Sequence, residues 1–129
     1  MKKLLLFSIV LLAVLLYGCG SKGNMGYPKH IDVGSGGDTI YLVKEPVHSW
    51  DIADKNGYIF AYPFEEEIDG VKTGVTEYEW LRVESRAEWT AVRVIVAPNK
   101  SGTMRTLYLD YTIQYMLSFE QARIAINQR

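Results

Sequence analysis

The sequence predicts an all-β domain, a two-sheet antiparallel sandwich of about seven strands. Two observations carry this. Apolar and polar residues alternate in several short runs, the period-two mark of half-buried strands. Clusters of turn-forming residues separate those runs. No stretch after the first 18 residues holds apolar residues at sustained helical spacing.

The first element is a leader. Lys2 and Lys3 open the chain, and Leu4 to Leu16 is apolar except for Ser8. A basic start, a short apolar run and a small residue form the layout of a secretory signal. The run is shorter than the ~20 apolar residues that span a bilayer comfortably. It ends in Leu16-Tyr17-Gly18-Cys19, which resembles the lipobox of bacterial lipoproteins, with Tyr17 bulkier than the usual second residue. The resemblance implies cleavage between Gly18 and Cys19 and a diacylglycerol on the Cys19 thiol. Cys19 is the single cysteine, so no internal disulfide is available. Residues 1–18 are therefore expected to be a signal peptide, residues 19–28 a flexible tether rich in small and polar residues, and residues 29–129 one domain. No Asp follows Cys19, which by analogy with lipoprotein sorting leans toward the outer membrane. The membrane is the first expected partner.

Strands follow in order. Expected runs are Thr39 to Lys44, Tyr58 to Phe64, Glu77 to Glu84, Thr90 to Val96, Arg105 to Gln114 and Ala122 to Asn127. In the fourth, Val92, Val94 and Val96 share one face. In the fifth, Leu107, Leu109, Tyr111 and Ile113 face inward, while Thr106, Tyr108, Asp110, Thr112 and Gln114 face outward. In the last, Ala122, Ile124 and Ile126 share the inner side. Turn signals are Gly34-Ser35-Gly36-Gly37-Asp38, Asn56-Gly57, Asp69-Gly70 and Pro98-Asn99-Lys100-Ser101-Gly102. Asn56-Gly57 suits the left-handed positions of a tight hairpin. Ser118 to Ala125 contains a helix-like start and is read as a turn entering the last strand. Glu65-Glu66-Glu67 is read as a solvated loop or strand end.

From residue 30 onward the order of features resembles the BACON domain, an immunoglobulin-like β-sandwich common in exported proteins of Bacteroidetes. The features are Gly36-Gly37 before a strand, then Trp50, Trp80-Leu81, Val92 to Val96, Pro98 to Gly102, Arg105-Thr106-Leu107 and a closing Ile124-Ala125-Ile126-Asn127-Gln128. The stretch between Trp50 and Trp80 is longer than the family usually allows, which leaves room for an extra hairpin. The resemblance implies binding of carbohydrate or mucin-like glycans, or a spacer role. It carries no settled set of binding residues.

Three residues are candidate ligand contacts. Trp89 shares parity with Ala91 and Arg93, so it faces away from the core valines, as a sugar-stacking ring, as a ring covered by the 58–79 segment, or simply as one exposed ring. Tyr108 and Asp110 share the outer face of their strand and offer a ring and a carboxylate. Tyr58, Phe60 and Tyr62 share parity too, and cross-strand aromatic pairing explains them better than ligand binding does. Trp50 and Trp80 are read as core tryptophans packed between the sheets. Asp51, Asp54 and Asn56 lack the alternating spacing of a calcium loop and fit turn chemistry.

Loss of Lys2 and Lys3 with the leader leaves 12 basic against 15 acidic residues, a net charge of −3. That argues against a nucleic-acid partner, which needs a basic patch. His30 and His48 are the only histidines and sit in no motif; no nucleophile elbow, phosphate loop or HExxH occurs. The expected protein is thus non-catalytic, without cofactor or metal, and binds carbohydrate or glycoprotein. The rival expectation is an assembly lipoprotein that docks a larger outer-membrane complex through a protein partner at a sheet edge.

Overall fold

The computed structural model describes residues 23–114 and 116–129. The leader, the Gly18–Cys19 cleavage point and the lipidation site lie outside the described residues. Ten strands follow one another: β1 (His30–Val33), β2 (Asp38–Val43), β3 (Asp51–Ala53), β4 (Ile59–Ala61), β5 (Phe64–Ile68), β6 (Val71–Tyr78), β7 (Leu81–Ser85), β8 (Ala91–Val96), β9 (Arg105–Gln114) and β10 (Phe119–Gln128). They form two five-stranded sheets, ordered β1-β10-β9-β3-β4 and β2-β8-β7-β6-β5. All pairs are antiparallel except β1 with β10, which is parallel. Among the described residues no helix is long and apolar enough to cross a membrane.

The core lies between the two sheets. Leu107 and Leu109 of β9 and Ile124 and Ile126 of β10 come from one sheet; Leu42, Val83, Val92, Val94 and Val96 come from the other. The alternation read from β8, β9 and β10 is thus the alternation of the inner faces. Trp50 is fully buried and closes the core on the β2–β3 connection, as expected. Trp80 is only half-buried and packs at the core's margin.

The strand count departs from seven for local reasons. The run Tyr58 to Phe64 is two strands, because Pro63 breaks it. β4 ends at Ala61 in the first sheet, and β5 starts at Phe64 in the second. Proline has no N–H for a ladder, and a change of sheet suits it. The run Glu77 to Glu84 is also two strands. A two-residue connection, Glu79-Trp80, joins Tyr78 to its partner Leu81. Glu79 takes φ 51°, a left-handed conformation uncommon for a residue with a Cβ. β1 and β3 are four and three residues long, too short for alternation to register. β5 is an exposed edge strand and holds Glu65, Glu66 and Glu67. Phe119 onward is strand, with no turn before Ala122.

Hairpin chemistry is partly as read. Asp69 (φ 52°) and Gly70 (φ 77°) both take left-handed values between Ile68 and its partner Val71, as a type I′ hairpin requires. At the β3–β4 turn only Gly57 (φ 85°) is left-handed; Asn56 is not. Five residues separate Ala53 from its partner Ile59, and they are closed by Asp54 N–H donating to Tyr58 O and Gly57 N–H donating to Asp54 O.

Residues 23–28, read as the second half of a flexible tether, are docked on the domain. Asn24 and Met25 form a left-handed turn (φ 56° and 53°). The Asn24 side chain accepts from Arg123 N–H (2.7 Å) and donates to Arg123 O (2.8 Å). Tyr27 is buried edge-on against Trp50, with ring centroids 5.0 Å apart. Its hydroxyl donates to Val43 O (2.6 Å) and accepts from Val47 N–H (3.2 Å). A composition of small polar residues signals flexibility on average; one Asn and one Tyr with specific partners override it here.

Candidate binding cleft

A mismatch in strand length creates a notch. β10 pairs with β9 from Arg105 to Gln114, but β3 pairs only with Tyr108 to Asp110. On its β3 side, β9 is therefore uncovered at Arg105 to Leu107. The β3–β4 turn forms one lip of the notch, and the β6–β7 connection forms the other. Between them lies a cleft of about 440 Å³. Asp54 and Lys55 line it from the first lip and Tyr78, Glu79 and Trp80 from the second. Thr106, Leu107 and Tyr108 form the floor, and Phe60 of β4 the side.

Four aromatic rings line this cleft, and each is held. Phe60 and Tyr78 stack in parallel, 4.4 Å apart at 8°. Tyr58, outside the cleft, meets Phe60 edge-on at 5.6 Å. Arg105 lies over the Trp80 ring at 4.6 Å, and Arg123 over the Tyr108 ring at 4.2 Å. A guanidinium over an aromatic face is attractive by cation–π electrostatics. The neighbouring Glu79 carboxylate first, with some loss of hydration, pushes the Tyr78 phenol's pKa up.

The two arginines are themselves anchored. Arg105 Nε donates to Gln128 Oε1 (2.8 Å), and its Nη2 to Ala97 O and Pro98 O (both 3.2 Å). Gln128, fully buried, donates to Ala97 O (2.7 Å) and Gly34 O (3.1 Å). The Arg, Gln and Gly-rich turn singled out in the sequence thus meet at one end of the sandwich, behind Trp80. Arg123 donates from Nη1 to Lys55 O (3.0 Å) and from Nη2 to Asp54 O. It therefore ties the first lip to β10. Asp54 Oδ1 accepts from Asn56 N–H (2.8 Å) and Tyr58 N–H (2.9 Å), the turn chemistry expected of it.

Behind the lip lies a row of charge. Asp51, Asp110 and Arg123 are cross-strand partners on β3, β9 and β10. Arg123 Nε is 3.1 Å from Asp110 Oδ1, an ion-pair distance without hydrogen-bond alignment. Burial pushes the Asp110 carboxyl up; Arg123 pulls it down, and Asp54 adds to the rise. Burial, then Asp110, pushes Asp51 up. A carboxyl whose pKa is higher folded than unfolded binds its proton better in the native state. The stability this gives is complete below the unfolded pKa and is lost as pH rises through the folded one. Asp51→Asn is thus expected to raise stability at pH 7 by about 0.5 kcal/mol, the scale of one like-charge cross-strand pair. It should also flatten the fall in stability as pH rises through the carboxylate range. Urea melts from pH 3 to 7 measure both, and an Asp51→Asn protein less stable than the parent at pH 7 would refute the expectation.

The three candidate contacts read from sequence end in different places. Tyr108 lines the cleft. Asp110 does face outward from β9, but Arg123 and the β3–β4 turn cover it, and it is buried rather than presented to solvent. Trp89 is on the outer side of the other sheet, half-buried between Arg93 (4.3 Å) and Arg86 (5.1 Å). It shares no surface with Tyr108. Tyr78, Glu79 and Trp80 were missed as cleft residues. Their signal was hidden because the connection between β6 and β7 contains no Gly, Pro, Asn or Asp.

No protein-family model, no curated protein and no solved structure matches the chain.

Proposed function

We propose that the protein is a non-catalytic binding module held at a membrane, and that its aromatic cleft takes carbohydrate, free or on a glycoprotein. The observation that carries this is the set of four rings around one cleft, Phe60, Tyr78, Trp80 and Tyr108, beside polar groups of Asp54, Lys55, Glu79 and Thr106. Ring faces stack on the C–H faces of sugars, and a few convergent polar groups read hydroxyls. Preorganised rings lose little conformational entropy on binding. Asp54 is committed to its turn, so its carboxylate serves positioning rather than acid–base work. The finer assignments rest on the sequence: an immunoglobulin-like, BACON-like domain, exported, cleaved before Cys19 and anchored through lipid on Cys19 at the outer membrane. Docking by a sheet edge has less support. Of the four edge strands, β4 and β1 offer three and four residues and β5 presents three successive glutamates, a charge row that discourages strand addition, which leaves six-residue β2 as the one edge of ordinary length.

A glycan array followed by calorimetry tests the proposal. Trp80→Ala and Tyr78→Ala are each expected to weaken a bound glycan about tenfold or more, the scale of a lost aromatic anchor. Trp89→Ala, on the other sheet, should leave affinity unchanged. An array with no hit across plant, microbial and mucin-type glycans would sink the proposal, as would affinity indifferent to both cleft variants.

A further inference from the structure

The β9–β10 hairpin extends past its neighbours. β3 stops at the level of Asp110, and β1 joins β10 only at Ala125. The pairs Ala122–Tyr111 to Phe119–Gln114 therefore continue as a two-stranded ribbon. Its end is apolar and exposed: Met116 and Leu117 are 99% accessible and Phe119 66%. None of the three belongs to the core or to the cleft. Large apolar side chains grouped at a protruding tip mark an interaction site.

We infer that this tip dips into the surface of the bilayer to which the lipid on Cys19 anchors the chain. The inference rests on the lipoprotein reading of Cys19. Where the chain meets the domain decides the occupant. The described chain begins beside Arg123, through Asn24, and then runs along β10 in the direction away from the tip. From Cys19 to Asn24 is five residues, which reach at most ~18 Å whatever path they take. From Arg123 back to Ser118 is also five residues, ~17 Å along a strand. The stretched tether and the ribbon are thus about equal in length, so a ribbon directed at the bilayer brings its tip to the surface. With the ribbon pointing at the lipid, Met116 and Leu117 meet the interface, where apolar side chains add to the hold of an acyl anchor. Exposed Glu120 follows directly and limits the depth to the tip. The β8–β9 loop around Lys100 lies at the opposite end of β9, away from the bilayer.

The test uses the full chain, expressed in a bacterium that acylates it. Acylation consumes the Cys19 thiol, so S118C and, separately, K100C each present one thiol for an environment-sensitive fluorophore. Each protein is reconstituted in phosphatidylethanolamine–phosphatidylglycerol vesicles carrying a shallow lipid-chain quencher. The S118C fluorophore is expected to be quenched several-fold more than the K100C one. M116D/L117D in the S118C background is expected to return it to the K100C level, with unchanged circular dichroism. An acylated protein in which S118C is quenched no more than K100C overturns the inference alone. Shielding that rises with protein density and not with lipid quencher places a second copy at the tip and overturns it too. An intact mass without the lipid fails the Cys19 reading itself and takes the inference with it.

Discussion

Trp50→Ala is expected to cost about 3–5 kcal/mol, the range for losing a large buried aromatic, and to leave the domain at the edge of unfolding. The side chain is fully buried. It meets Tyr27 edge-on at 5.0 Å and Tyr111 at 6.4 Å, and its carbonyl accepts from Thr76 Oγ1 (2.7 Å). The ring thus joins the N-terminal segment to the sheet of β9, while the backbone carbonyl holds β6 of the other sheet. Its indole N–H is buried without a hydrogen-bond partner among the described residues, and such a group carries its full desolvation cost. Phenylalanine removes that N–H and keeps most of the apolar contact. Trp50→Phe is therefore expected to cost less than half of Trp50→Ala. Urea denaturation followed by far-ultraviolet circular dichroism measures both. Equal losses for the two variants would show that the indole N–H is satisfied in solution.

How far the sequence revealed this molecule depends on which signals are local. β8, β9 and β10 were legible because each is long and buried on one face, so alternation persists for six to ten residues. β3 is three residues long and has no period to read. The cleft exists because β3 is short, so the feature that makes it is the one alternation cannot register. Glu79-Trp80 turns without turn residues, since pairing of β6 with β7 forces a left-handed value on Glu79. Asp110 shows a different limit. Parity placed it on the outer face correctly, but burial there depends on Arg123 reaching back from β10 to the β3–β4 turn. Trp89 likewise obeys parity, and two arginines fix it on the sheet that does not carry the cleft. Parity gives a side chain's direction; what covers it is set by partners distant in sequence.

Gly37 ties the glycine-rich turn to the cleft, and Gly37→Ala is expected to cost about 3 kcal/mol or more. Two costs combine. Its φ of 82° lies in the left-handed region, about 1–2 kcal/mol unfavourable for a residue with a Cβ. A Cβ there would also stand 2.5 Å from Val96 O and 3.0 Å from Pro98 N. Both are backbone atoms, so the strand end must move, an overpacking cost of about 1–3 kcal/mol. The displaced segment holds Ala97 O and Pro98 O, the acceptors of Arg105, and Ala97 O also accepts from Gln128. Arg105 in turn lies over Trp80. The substitution should therefore weaken ligand binding as well as stability, although Gly37 does not line the cleft. Gly36→Ala is the control: a Cβ at Gly36 meets nothing within 4 Å, and its effect is expected to stay within about 0.5 kcal/mol. Thermal melts of the pair separate the two outcomes. A Gly37→Ala protein as stable as Gly36→Ala would mean that the β8 end yields freely, and that the Gln128–Arg105 contacts do not hold the Trp80 wall in place.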